Sequence, residues 1–371
     1  MRRYLILIGT RPEAIKMCPL ILALRRRSDV RLRIVLTGQH ADMVEGVLRF
    51  FGVEADTDLG VMREGQGPQE LTERLLVSIS EELKNNKFAP DACLVHGDTT
   101  TAFAGALCCF YAGIPVYHVE AGLRTGNIRA PFPEEFNRRA VDAMSNVHFA
   151  PTPRAAKQLV AEGADASRVF TVGNTATDAL RLCLRSDFPY PLLEAAAGRR
   201  LILLTAHRRE MTAEQRASLL HAIRDEIEGR EDVFLVFAVH PSPAVRAVAE
   251  HAFEGCFNAA LTEPLELPTL QNLLARATLL LTDSGGLQEE ATYLGIPTLV
   301  LREVTERPEG VAAGVLRMAG VEGERVRAHM AALLDDERRR RRMERASDVY
   351  GNGHAADAIA QCLDRLAGAC K

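Results

Sequence analysis

Short, continuously apolar runs alternate along this chain with longer stretches of helical periodicity, and that alternation leaves few folds open. Strands are expected at Tyr4–Ile8, Leu32–Thr37, Ala92–His96, Val116–Val119, Val147–Ala150 and Val169–Val172. A second series is expected at Leu201–Thr205, Val233–Ala238, Thr278–Leu281, Thr298–Leu301 and Val315–Met318. A strand with one face in water alternates apolar and polar residues, whereas a strand covered by helices on both faces reads as an unbroken apolar run. Most runs here are unbroken, so the expected fold class is α/β with two Rossmann-like, doubly wound domains. The length of 371 residues agrees, because a single core stops growing before that size. The first domain is expected over residues 1–172 and the second over 173–353. Periodicity is weakest from Ser186 to Arg200, where Phe188-Pro189-Tyr190-Pro191 interrupts it, and that stretch is expected as a surface loop of the second domain. A helix from Ala355 to Leu366 follows Gly351-Asn352-Gly353, and its apolar face suits a segment 354–371 that packs back on the first domain.

Composition removes several function classes. With 45 basic and 49 acidic residues and a formal charge of −4, the chain offers no electrostatic basis for a nucleic-acid or membrane partner. The apolar run after Met1-Arg2-Arg3 ends at Ile8, too short for a signal peptide, and no stretch approaches the ~18 residues of a membrane span, so a cytoplasmic protein is expected. The 8 cysteines show no C-x-x-C spacing and are expected as reduced core thiols. The run Arg338 to Arg342 follows Asp335-Asp336-Glu337, which places acids at the positive end of a solvated helix and bases farther along. No G-x-G-x-x-G follows the first strand, and the P-loop, H-E-x-x-H and G-x-S-x-G patterns do not occur. The reading is an enzyme that needs no metal or organic cofactor.

Ligands of open α/β sheets bind at the C-terminal ends of strands, so the residues there are the candidates. In Asp283-Ser284-Gly285-Gly286-Leu287-Gln288-Glu289-Glu290 a strand runs into glycines that open a helix. Backbone N–H groups at a helix start are unpaired within the helix and carry the positive end of its dipole, so Ser284, Gly285 and Gly286 can wrap a diphosphate. Glu290, one turn on, suits neutral hydroxyls such as those of a ribose. After the first strand, Gly9-Thr10-Arg11-Pro12-Glu13-Ala14-Ile15-Lys16 places Pro12 in a first helical turn and brings Arg11 and Lys16 toward the mouth of a cleft. Asp98 follows His96-Gly97, Glu120 ends the strand containing His118, and Glu134 opens a helix after Pro133. Capping could explain each acid alone, but three strand ends that deliver acids to one rim suit divided acid and base roles. In the second half, His207-Arg208-Arg209-Glu210 and Thr305-Glu306-Arg307-Pro308-Glu309 supply further charge at strand ends.

Together these blocks, with Gly173-Asn174-Thr175 and Tyr350-Gly351-Asn352-Gly353, resemble the non-hydrolysing UDP-N-acetylglucosamine 2-epimerases over essentially the whole chain. The resemblance implies a GT-B arrangement with an interdomain cleft, usually a homodimer, and cofactor-independent interconversion of UDP-GlcNAc and UDP-ManNAc. It implies acid/base roles for Asp98, Glu120 and Glu134 and charged active-site roles for Arg11, Lys16 and His207. Contacts to UDP and sugar are then expected from Arg11, His207, Arg208, Ser284, Gly285, Gly286, Glu290 and Arg307. Gln39, His40 and His240 match the effector site of allosteric members, but Asp42 stands where a second Gln is usual and Gly65 where an Arg is common. Weak or absent activation by UDP-GlcNAc is therefore expected. The other readings are a hydrolysing relative that releases ManNAc and UDP, a GT-B glycosyltransferase, and a catalytically silent UDP-sugar-binding regulator.

Overall fold

Residues Ile202 and Leu204 of one strand face one apolar cluster while Leu201 and Leu203 face another, so helices cover both sides of the sheet to which they belong. The structure, a computed structural model, describes the chain apart from residues 39, 40, 64, 86, 87, 207–210, 370 and 371 and the side chains of residues 41, 42, 85 and 369. Its strands are β1 (Arg2–Ile8), β2 (Val30–Leu36), β3 (Thr57–Asp58), β4 (Ala92–His96), β5 (Val116–Val119), β6 (Val147–Ala150), β7 (Val169–Thr171), β8 (Arg200–Thr205), β9 (Val233–Ala238), β10 (Ala259–Thr262), β11 (Leu279–Thr282), β12 (Thr298–Val300) and β13 (Leu316–Met318). They form a 7-stranded sheet in the order β3-β2-β1-β4-β5-β6-β7 and a 6-stranded sheet in the order β10-β9-β8-β11-β12-β13. The pairings are parallel in both. This is the doubly wound α/β class expected from the apolar runs.

Two strands escaped the sequence reading, β3 and β10. Each lies at a sheet edge, and β10 is only partly buried along its length, so neither carries the unbroken apolar signature of a central strand. A second correction concerns the expected loop from Ser186 to Arg200, which contains a short helix, Pro191–Ala195. Proline near its start costs no hydrogen bond, and Leu192 and Leu193 pack on the neighbouring core.

Close packing divides the chain into residues 1–179 with 351–371 and residues 180–350. The first crossing lies inside helix Thr175–Cys183, a few residues beyond the boundary read from sequence. In the first unit, Leu5 and Leu7 of β1 pack against Leu71, Leu75 and Ile79 of helix Pro68–Asn85. Helix Ala355–Ala369 lies against helix Arg11–Arg25, and Asp178 accepts the backbone N–H groups of Ala355 and Ala356 at 3.0 and 2.9 Å, capping its start. In the second unit the arginine run forms helix Glu337–Met343, capped by Asp336 and laced by Arg341–Glu337 and Arg340–Glu344 pairs, as its charge pattern predicts. The seven described cysteines are free thiols, six of them buried. Among the described residues no helix is long and apolar enough to cross a membrane.

The sheet order fixes where ligands can enter. In the first unit the order reverses between β1 and β4, and in the second between β8 and β11. At such switch points the loops leave in opposite directions and open a crevice at the carboxyl ends of the strands. The loops that begin at Gly9 and Gly97 flank the first crevice, and the loop that begins at Asp283 flanks the second.

Candidate functional site

In the first unit, β1 passes through Gly9 and Thr10 into helix Arg11–Arg25. A side chain at Gly9 would meet Thr101 Oγ1 at 2.0 Å, so the backbone of the loop after β1 packs on the first turn of helix Thr100–Tyr111. The Glu13 carboxylate fastens that contact by accepting from Gly9 N–H (3.0 Å), Thr10 N–H (2.7 Å) and Thr99 Oγ1 (2.8 Å). Burial pushes Glu13 up to about 7 against the pull of these donors. Glu13 is thus a structural clasp, and Arg11 and Lys16 belong to the same helix. Arg11 is half-buried at the helix start, and Lys16 is buried one turn beyond.

Glu120 is the centre of this region. It is buried and has φ +65°, a left-handed backbone that a residue with a side chain uncommonly adopts and that active sites often contain. Its carboxylate pairs with Lys16 Nζ and accepts from Asn174 Nδ2 at 2.5 Å, and His96 Nε2 lies 3.9 Å away. Asp98 sits on the adjoining turn, because Gly97 donates its N–H to Val119 O, the residue before Glu120, at 2.9 Å. Thr99 takes the capping role at helix Thr100–Tyr111, while the Asp98 carboxylate pairs with Arg138 and its carbonyl accepts from Asn137 Nδ2 at 2.9 Å. Both partners belong to helix Glu134–Met144, whose first residue is the half-buried Glu134. Glu135, its neighbour, is fully buried and structural, since it holds Arg138, Arg139 and the N–H of Thr125.

His96 gives a test in solution. Burial lowers its pKa to about 3, which the Glu120 carboxylate opposes and the Lys16 charge assists. The folded state therefore holds the ring neutral where the unfolded chain would bind a proton, so stability is full above about pH 6.5 and falls as pH drops toward 3. Between pH 7 and pH 5 the loss from this group is about 2 kcal/mol. Urea unfolding of His96→Gln should show a pH dependence flatter by that amount, and parallel curves for both proteins would contradict it.

In the second unit, β11 ends at Thr282 and helix Gly285–Leu294 begins after Ser284. Gly285 lies under the Arg307 guanidinium, where an added Cβ would meet Cζ at 2.9 Å, whereas the corresponding space at Gly286 is open. Arg307 is itself buried, with Nε 2.8 Å from Glu289 Oε1 and a second pair to Glu306, which Arg302 also reaches at 2.9 Å. Tyr350 locks the same loop by donating to Arg307 O at 2.9 Å and accepting from Gly310 N–H at 2.8 Å. Glu290 is buried one turn into the helix and accepts from Gln271 Nε2 at 3.2 Å. A helix start held by an arginine and two glutamates suits an anion, and the carboxylate after it suits hydroxyls.

His207 and Arg208, and Gln39 and His40 of the expected effector site, lie outside the described residues. His240 is exposed, and its Nδ1 accepts from Ser242 N–H at 3.1 Å. The sequence reading gave Asn174, Asn137 and Arg138 no role and passed over Asp142. Their contacts join residues dozens of positions apart, and only the sheet order brings them together.

One unit has a glycine-rich helix start that suits an anion and the other has clustered, paired carboxylates, each a feature suited to a nucleotide sugar. Comparison with known proteins agrees. Residues 22–364 match the sequence model of the UDP-N-acetylglucosamine 2-epimerase family. The UDP-N-acetylglucosamine 2-epimerase of Bacillus subtilis (strain 168) is 46% identical over 355 residues, covering 96% of this chain and 93% of that protein. Among solved structures, that of S. aureus MnaA with UDP is 38% identical with a TM-score of 0.94, covering 99% of this chain and 97% of that one. The Neisseria meningitidis UDP-GlcNAc 2-epimerase bound to UDP-GlcNAc is 37% identical with a TM-score of 0.92, covering 98% of this chain and 100% of that one. With a matching family model along most of its length and a relative this similar, the chain belongs to the UDP-N-acetylglucosamine 2-epimerase family.

Proposed function

We propose that the protein interconverts UDP-GlcNAc and UDP-ManNAc without hydrolysis and without an added cofactor. The observation that carries this reading is Glu120, buried in a strained backbone conformation, paired to Lys16 and Asn174, and set beside the turn of Asp98. The C2 hydrogen of a nucleotide sugar is not next to a carbonyl, so a base alone does not remove it at useful speed. Early breakage of the C1–O bond to UDP places positive character on C1 and makes the C2 proton removable. The C–H electron pair then forms the C1–C2 double bond of 2-acetamidoglucal, and UDP leaves with the C1–O pair. Protonation of the opposite face of C2 and return of the UDP oxygen to C1 gives the other epimer. Asp98, Glu120 and Glu134 would take and return the proton, and Lys16, Arg11 and His207 would stabilise the charge that develops on departing UDP. Ser284, Gly285 and Gly286 would hold the diphosphate, with Arg208 and Arg307 nearby, and Glu290 would bind the ribose.

In this reading the enzyme is a cytoplasmic homodimer that supplies ManNAc units for cell-surface polysaccharide. Incubation with UDP-GlcNAc followed by anion-exchange separation tests it. UDP-ManNAc should accumulate without stoichiometric release of free ManNAc and UDP. Free ManNAc as the main product would replace this reading with hydrolysing epimerisation.

A further inference from the structure

Resting on that reading, we propose that Asp142 and His118 form a positioning hub that fixes the three proton-transferring carboxylates relative to one another. His118 lies on β5, is fully buried, and is held from both ends of its ring. Nδ1 is 2.6 Å from Asp142 Oδ1 and Nε2 is 2.7 Å from Gly97 O. A carbonyl oxygen only accepts, so Nε2 carries a proton. The Asp142 carboxylate also receives Arg124 Nη2 at 2.8 Å and Gly122 N–H at 3.2 Å, which keeps it an ionised acceptor, so Nδ1 carries a proton too. Burial opposes that ionised form, but the charge and hydrogen bond of His118, and then those of Arg124, outweigh it and hold the Asp142 pKa low. The ring is an imidazolium bridging a carboxylate and a backbone carbonyl.

Asp142 thereby reaches every segment that bears a catalytic acid. Through His118 it holds the carbonyl of Gly97, whose φ of +61° sets the turn into Asp98. Directly it holds the N–H of Gly122, two residues after Glu120, where φ is +86° and an added Cβ would meet Ala155 O at 2.4 Å. By covalent continuity it belongs to helix Glu134–Met144, which carries Glu134 and the Asn137 and Arg138 that grip Asp98. Neither Asp142 nor His118 is assigned contact with the sugar; both act through the residues they hold. A displacement of about 1 Å in such an arrangement can cost about 100-fold in rate.

The test uses the full-length enzyme and the variants Asp142→Asn, His118→Gln and, as a control at the outer end of the network, Glu162→Gln. In Asp142→Asn the amide turns a donor toward Gly122 N–H or Arg124, so kcat should fall about 100-fold while KM for UDP-GlcNAc and the Kd for UDP stay within about threefold. His118→Gln, which can reach only one of the two acceptors, should behave alike and serves if the first variant fails to fold. Glu162→Gln should change kcat less than about threefold. Proton NMR of the wild type near neutral pH should show two exchange-protected ring N–H protons from His118, with one lost in Asp142→Asn. Unchanged kcat in cooperatively folding variants, loss of UDP affinity in step with kcat, or a single ring proton in the wild type would overturn the hub. A wild type that does not epimerise UDP-GlcNAc would overturn the functional reading alone, and the ring protons would then decide whether the bridge exists.

Discussion

Replacing Asp98 with asparagine is expected to lower turnover about 100-fold or more while UDP still binds. Asparagine keeps the shape of the side chain and an oxygen for Arg138, and the carbonyl still receives Asn137, so the turn should hold. What disappears is the ability to take up and return a proton. The helix start at Ser284 to Gly286, proposed to hold the diphosphate, belongs to the other unit and is left intact by this change. Glu290→Ala should do the reverse, weakening UDP binding through the ribose. Calorimetry with UDP and steady-state rates separate the two effects. Loss of UDP affinity in Asp98→Asn, with Glu290→Ala unaffected, would exchange the assignments.

The second large effect is on stability. Arg307→Met should destabilise the protein by about 3–5 kcal/mol, because it takes a charged partner away from two buried carboxylates rather than removing a surface charge. Glu289 would lose its 2.8 Å contact to Nε, and Glu306 would keep Arg302 at 2.9 Å but lose its second pair. The guanidinium packed over Gly285 would also go, loosening the start of the helix that forms the cradle. Urea unfolding should show the loss, and UDP affinity should fall with it. A change below about 1 kcal/mol would mean that the Arg307 cluster is not the lock described here.

The central strands were legible because their apolar runs are unbroken, a direct consequence of helices on both faces. Strands β3 and β10 were not, since β3 is only Thr57-Asp58 and β10 is partly buried along its length, so neither carries an apolar run. Candidate acids could be named from strand ends, and the structure sets Asp98 and Glu120 on adjoining turns. What each acid holds was not legible. Glu13 and Glu135 sit in the same motifs as Lys16 and Glu134, yet both are clasps for backbone N–H groups, which only the folded chain reveals. Lys16 finds Glu120 across 104 positions, and Asp142 finds His118 across 24, through sheet order rather than local pattern. Local signals did carry the solvated helix Glu337–Met343, whose acids and bases pair within one turn.

On the proposed mechanism, C1–O cleavage and removal of the C2 proton occur in one site that returns UDP to the sugar. Incubation with UDP-GlcNAc in heavy water, followed by proton NMR, tests it most directly. Deuterium should enter C2 of UDP-ManNAc and of recovered UDP-GlcNAc, with no NAD or metal added. Epimerisation that retains the original C2 hydrogen in full would contradict the account.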